Sequence, residues 1–246
     1  MSDRPIIVLA SIGRSGSTLM QRVLNSNEKL VIWGENDSVV NCLAIALRHL
    51  KIRMDRGGDL QRDRFFQGMR NFWTSDMVPP IEDVLSAWRK MLIGLYSSGG
   101  KRWGFKGVDS GEELVGLMDR VFPGVRYVFL VRNPLDAVQS FMSHEYTKSV
   151  ASAATRAQDW SIRSEFFRAY TLAHPDRALL VRYEDLTLEK CVEIFCHVGE
   201  TPDLGRISEV LGNEVGGWPL KPLCDSDRNE VLNYCLPGMK TFGYTS

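Results

Sequence analysis

An uninterrupted apolar run near the start of the chain, Ile6-Ile7-Val8-Leu9-Ala10, passes directly into the turn Ser11-Ile12-Gly13-Arg14-Ser15-Gly16. A segment with helical periodicity, Ser17 to Asn25, follows at once. An apolar run without alternation describes a strand buried on both faces, as in a parallel sheet. In the next segment Leu19, Met20, Val23 and Leu24 share one side, and Ser17 is a candidate cap. A strand covered on both faces needs helices above and below it, so this unit alone points to an α/β fold.

The rest of the chain repeats the alternation. Leu30–Trp33 is a second apolar run, ended by Gly34, and Ser38 to Leu50 is helical in pattern. Pro79-Pro80 opens a helix on which Ile81, Val84, Leu85, Trp88, Leu92 and Leu95 recur at helical spacing. Arg102–Val108 reads as a strand, Glu112 to Phe122 as a helix and Arg126–Arg132 as the strongest strand. Asn133-Pro134 breaks that strand, and Pro134 opens the first of two helices reaching about Ala173. Ala178–Arg182 is a further strand, Leu188–Val198 a helix, and Asp227 to Leu236 the last helix. Arg53 to Arg64 alternates charge signs around Gly57-Gly58, which reads as a solvated loop and helix start, or as a lid over a cleft. No linker divides the chain, so residues 1–246 are read as one domain.

Lys and Arg number 30, as do Asp and Glu, so the formal net charge is zero. That excludes a broadly basic nucleic-acid coat and leaves room for a local basic site. No stretch approaches the roughly 18–20 apolar residues of a membrane-spanning helix. The first apolar run is too short for a signal-peptide core and meets a Gly/Ser turn instead of a cleavage site. Neither nucleic acid nor membrane is an expected partner; oligomeric state is left open. The five cysteines form no C-x-x-C pair, and the four histidines form no H-x-x-x-H pair, so no metal site is expected. Reduced, mostly buried thiols in a cytoplasm-like compartment are the simplest reading.

Ser11 to Thr18 has the chemistry of an anion cradle. Glycines allow close backbone approach, the helix N-terminus adds positive potential, and Ser15, Ser17 and Thr18 add hydroxyls. Arg14 adds a planar charged fork. A nucleoside triphosphatase would want G-x-x-x-x-G-K-[ST], but Ser17 follows Gly16 and Ser11 stands at the first glycine position. The lysine expected for a γ-phosphate is missing.

Gly13-Arg14-Ser15-Gly16-Ser17-Thr18-Leu19-Met20 resembles the 5′-phosphosulfate loop of sulfotransferases that use 3′-phosphoadenosine-5′-phosphosulfate (PAPS). The R-S-G-T-T-L-M run of tyrosylprotein sulfotransferases and related bacterial enzymes is the nearest form. Val128 to Ser140 is a second strand–turn–helix unit, and Arg132-Asn133-Pro134-Leu135-Asp136 with Ser140 resembles that family's 3′-phosphate motif. The resemblance implies that Arg132 and Ser140 hold the 3′-phosphate. His144, four residues on, is either a further phosphate contact or a capping or core histidine. Arg182-Tyr183-Glu184-Asp185-Leu186 resembles the family's R-Y-E-x-L motif, which implies Tyr183 beside the adenosine. Glu184 and Asp185 read as helix-entry acids. Trp218-Pro219-Leu220-Lys221-Pro222 resembles a late loop that closes over the nucleotide, with Lys221 either reaching the 3′-phosphate or simply exposed.

The resemblance implies a P-loop-type sulfotransferase fold, with a central mostly parallel sheet flanked by helices. It implies PAPS as co-substrate without a metal. Leu43 to Ser98 matches none of the family's motifs, and about residues 36–100 are expected to form a helical acceptor-side or lid region. Leu30-Val31-Ile32-Trp33-Gly34-Glu35-Asn36-Asp37 resembles the segment that carries the family's catalytic glutamate, which makes Glu35 the candidate base and Asp37 the backup. Arg14 is the first candidate catalytic cation. Lys106, in Trp103-Gly104-Phe105-Lys106-Gly107-Val108, is the second, or else a strand-end lysine that snorkels. The implied activity is sulfuryl transfer from PAPS to a hydroxyl or amine of a small-molecule or peptide acceptor. A small natural product and a bacterial, cytoplasmic setting fit best, since the Golgi enzymes' anchor and disulfides have no counterpart. The competing readings are a P-loop small-molecule kinase and a non-catalytic nucleotide-binding relative.

Overall fold

The computed structural model describes residues 4–213 and 219–245, with the backbone only at Asp37, Glu145 and Tyr146. Five strands form a parallel sheet in the order β2-β3-β1-β4-β5. They are β1 Ile6–Ala10, β2 Leu30–Glu35, β3 Arg102–Val108, β4 Arg126–Val131 and β5 Ala178–Arg182. The expectation of an α/β fold with a largely parallel sheet is met. β1 lies at the centre and is fully buried, which is what its unbroken apolar sequence demands.

Helices cover both faces. On one, Ile6, Val8 and Ala10 pack with Met20, Val23 and Leu24 of α1 (Ser17–Asn25). Ile194 and Phe195 of α9 (Leu188–Val198) and Ile207 of α10 (Leu204–Gly212) complete that layer. On the other, Ile7 and Leu9 meet α2 (Asp37–Asp55), α4 (Ile81–Tyr96), α5 (Glu112–Val121) and α8 (Ala153–Ala173) through Leu47, Leu92, Met118 and Phe167. A third cluster joins α6 (Pro134–Met142), α8 and α11 (Asp225–Phe242) around Val138, Trp160 and Met239.

The helices depart from the sequence expectation in four places. α2 continues to Asp55, and α3 (Gly58–Phe66) forms a full helix where a solvated loop and helix start were expected. The charges are satisfied by one another and by a later segment: Arg53 pairs with Asp76, and the Asp76 N–H donates to Gln61 Oε1 at 3.2 Å. Three helices, not two, fill the stretch to Ala173, because a short α7 (Glu145–Val150) intervenes. α10 was not foreseen; Asp203 caps it by accepting from Arg206 N at 3.1 Å. α11 runs through Pro237 to Phe242, since packing against α8 outweighs one lost backbone bond. All five thiols are free, as expected, but Cys42, Cys196 and Cys224 are exposed. On α9, Cys196 lies off the stripe formed by Cys191, Ile194, Phe195 and Val198.

Candidate active site at the carboxyl ends of the strands

In open parallel sheets the crevice beyond the strand carboxyl ends is where ligands bind. Here that crevice is a cleft of about 530 Å³. Its wall includes Gly13, Arg14, Gly16, Ser17 and Thr18 from the first loop, and Glu35, Lys106 and Arg132 from strand ends. Ser140, Tyr183 and Leu220 complete the part foreseen in the sequence.

The first loop folds as a cradle. Ser11 N–H donates to Leu130 O at 3.0 Å and ties the loop to β4. Arg14 and Gly16 both take positive φ, 72° and 90°. At Gly16 the glycine is required twice over, because a Cβ would also lie 2.2 Å from Tyr183 Cδ2. The first turn of α1 holds no acidic side chain to neutralise its amide groups. Ser11 Oγ and Ser15 Oγ are buried without a hydrogen-bond partner. Unspent buried donors around bare helix amides are what an anion would satisfy.

The second unit stands beside the first and is bonded to it. Arg132 leaves the end of β4, donates from Nη1 to Arg14 O at 3.0 Å, and lies 4.6 Å over the Tyr183 ring. Its Nε is buried without a partner. Ser140 Oγ, on α6, accepts from Arg14 Nε at 3.0 Å. Asn133 caps α6 by accepting from Leu135 N at 3.0 Å. Glu184 does more than enter a helix: its two oxygens accept from Asn133 N at 2.7 Å and from the Tyr244 hydroxyl at 2.9 Å. That carboxylate bolts the turn after β4 to the end of the chain.

Glu35 and Lys106 form the third feature. Lys106 Nζ donates to Glu35 Oε1 at 2.5 Å. The Lys106 side chain is 8% exposed and that of Glu35 53%, so a buried ammonium meets a half-open carboxylate. A β-bulge creates the pair. Trp33 pairs with Phe105, Gly34 is the extra residue, and Glu35 pairs with Lys106. Without the bulge, Gly34 would oppose Lys106 and Glu35 would point to the other face. Gly34 O then accepts from Asn36 N at 2.7 Å, which turns the chain sharply after the carboxylate. The strand was expected to end at Trp33; it reaches Glu35 through this irregularity.

Three expected residues stand apart from the cleft wall. His144 precedes α7, where its carbonyl accepts from Lys148 N at 2.9 Å. Lys221 is exposed, and its N–H donates to Ser143 Oγ at 2.8 Å, beside Leu220. Ser15 is buried under the loop. Trp218 lies outside the described residues, as does the Asp37 side chain.

Asp109 and Arg156 are among the cleft residues that were not foreseen. Asp109, at φ 64°, follows β3 and accepts from Arg156 Nη1 at 2.7 Å and Arg163 Nη1 at 3.1 Å. Arg163 Nη1 also donates to Ser11 O at 3.1 Å, so one network braces the first loop against α8. A signal did exist for Arg156: it interrupts the buried stripe Ala153, Ala157, Trp160 at helical spacing. A second, apolar recess of about 280 Å³ lies among Trp33, Asn36, Val39, Leu95 and Tyr96. Trp33 Nε1 donates to Tyr96 O at 2.8 Å and fixes the indole there.

Among the described residues no group of His, Cys, Asp and Glu is suited to a metal ion, and no helix is long and apolar enough to cross a membrane. No curated protein matches the sequence. The fold is similar to the sulfotransferase domain of the Synechococcus PCC 7002 olefin synthase, with TM-score 0.57 and 19% identity over 99% of this chain and 96% of that one. The sulfotransferase domain of the curacin biosynthetic pathway aligns with TM-score 0.57 and 17% identity over 98% of each chain. Sulfotransferase STF9 from Mycobacterium avium aligns with TM-score 0.58 and 14% identity over 98% of this chain and 77% of that one. At such identities these likenesses concern the fold. The family model described as "Sulfotransferase family" matches residues 5–194, and on that match the chain belongs to the sulfotransferase family.

Proposed function

We propose that the protein transfers a sulfuryl group from PAPS to a hydroxyl or amine of a small acceptor, with Glu35 as base and Lys106 as the cation beside it. The observation that carries this reading is the Glu35–Lys106 pair, built by a β-bulge at the rim of a cleft that two anion loops also line. Such irregularities re-aim side chains beside active sites.

The residues present fit the nucleotide. The first loop offers bare helix amides and the cleft-lining hydroxyl residues Ser17 and Thr18. Arg132 offers a guanidinium with a buried Nε still unpaired, and Tyr183 offers a ring already stacked under it. PAPS, when bound, supplies the activated sulfuryl group. Glu35 accepts the proton as the acceptor oxygen or nitrogen forms its bond to sulfur. The bond from sulfur to the 5′-phosphate oxygen breaks, and adenosine 3′,5′-bisphosphate (PAP) leaves with that electron pair. The Lys106 ammonium faces the negative charge that develops there, in a position burial has already fixed. No metal is needed to balance this step.

The recess at Trp33, Val39 and Leu95 flanks Gly34-Glu35 in the chain and suits an acceptor with an apolar body. A glutamate as the proposed base and an arginine in the first loop fit the tyrosylprotein-like branch. A bacterial, cytoplasmic enzyme of natural-product modification agrees with these features. Calorimetry tests the nucleotide: PAP is expected to bind without metal, and ATP to bind no better with Mg²⁺ than without. Binding of ATP that requires Mg²⁺, with no binding of PAP, would contradict the proposal and favour a kinase.

A further inference from the structure

The Arg14 guanidinium is turned toward α6, not toward the pair that would do the chemistry. Its Nε donates to Ser140 Oγ at 3.0 Å, and its carbonyl accepts from Arg132 Nη1 at 3.0 Å. Both ends of this one residue are therefore tied to the second anion unit. The sheet order explains the separation. Arg132 and Ser140 belong to β4 and the helix after it, on one side of β1, whereas Glu35 and Lys106 belong to β2 and β3, on the other. The positive φ of 72° at Arg14 holds the backbone in a form that non-glycine residues adopt rarely. A strained conformation kept at such a point is held by the surrounding contacts, and those contacts are Ser140 and Arg132.

We infer that Arg14, although it sits in the 5′-phosphosulfate loop, serves the 3′-phosphate, as a specificity residue that recognises a ligand phosphorylated at that position. The inference rests on the reading of Arg132 and Ser140 as a 3′-phosphate site. Arg14, Arg132 and Ser140 then form one clamp of two charged forks and a hydroxyl on the cleft wall, a donor set suited to a phosphate dianion. Lys106 remains as the cation at the reacting end. Selection for the bisphosphate is thereby built into the same loop that cradles the 5′ side.

The test compares PAP with adenosine 5′-monophosphate, which lacks only the 3′-phosphate, by calorimetry. The parent protein binds PAP at least about tenfold more tightly. Arg14→Asn keeps a residue that tolerates positive φ. It is expected to weaken PAP about tenfold to a hundredfold and to change the monophosphate by less than about threefold. Ser140→Ala should show the same selectivity. The double variant should lose less than the product of the single losses, because both groups hold one phosphate. An equal loss for both nucleotides in Arg14→Asn, or no loss for either, overturns the inference while leaving the 3′-phosphate site intact. Equal affinity of the parent protein for the two nucleotides removes that site and overturns both readings.

Discussion

Single residues set the limits of the cleft, and Gly16 sets the tightest. Its φ of 90° and the Tyr183 ring occupying the Cβ position leave no side chain tolerable there. Gly16→Ala must therefore displace Tyr183 or the loop. We expect PAP affinity to fall at least about tenfold, while thermal stability drops by only a few degrees, since the clash is local. Calorimetry and a melting curve together check this; unchanged affinity would show that the ring is not needed where it stands. The thiols matter less. Burial pushes Cys191 up to about 11 and Cys235 up to about 12, so both stay protonated at neutral pH.

At the scale of elements, the sheet was legible in the sequence and the site only partly so. β1 and β4 announce themselves because a strand buried on both faces must be apolar throughout. The two strand–turn–helix loops that line the cleft were legible because they are local: strand, glycine or proline turn and helix follow one another in the chain. Glu35 was found by its resemblance, but strict alternation from Ile32 would have turned it away from Lys106. The bulge that corrects this depends on pairing with β3, which no local pattern records. Asp109 was hidden for the same reason, since its partners Arg156 and Arg163 come from a distant helix. α3 was read only as a loop and helix start, because the contact that anchors it, Asp76 N to Gln61 Oε1, spans 15 residues and leaves no local pattern.

The contact of α9 with β4 carries a pH dependence. His197, in the last turn of α9, places Nε2 3.1 Å from Tyr127 O, and burial holds its pKa below the ordinary 6.5. The unfolded chain then binds the proton more readily than the folded one, so stability rises with pH. This contribution is complete above the unfolded value and is lost as pH falls through the folded one. Urea midpoints at about pH 7.5 and about pH 5.5 should show the parent protein losing more stability than His197→Gln. Equal losses would remove His197 as the cause.

Across the whole molecule, a polar cluster around Asp119 and the cleft lie at opposite ends of the sheet. At the amino ends, Asp119 accepts from Tyr127 OH at 2.9 Å, from Tyr170 OH at 2.8 Å and from Arg177 Nη2 at 2.7 Å. Burial, and after it the Asp119 carboxylate, raise both tyrosines above their ordinary range. Asp119→Asn leaves Arg177 without its counter-charge and should cost about 2–4 kcal/mol. PAP affinity should stay within about twofold, because this cluster is at the far end of the strands from the cleft. Denaturation and calorimetry on the same preparation check the separation; a parallel loss of affinity would refute it. The zero net charge agrees with this division, since Arg14, Lys106 and Arg132 gather cations in one place while acids such as Asp119 lie elsewhere.

The central claim is that Glu35 is a base and not a nucleotide ligand. Glu35→Gln keeps the size of the side chain and removes the proton acceptor. The direct measurement is single-turnover transfer from labelled PAPS to an acceptor found by screening, alongside PAP affinity of the same variant. The account predicts turnover lower by about 10²–10⁴-fold with PAP affinity within about threefold of the parent. Turnover at the parent rate, or a loss of PAP affinity large enough to explain the lost turnover, would contradict it.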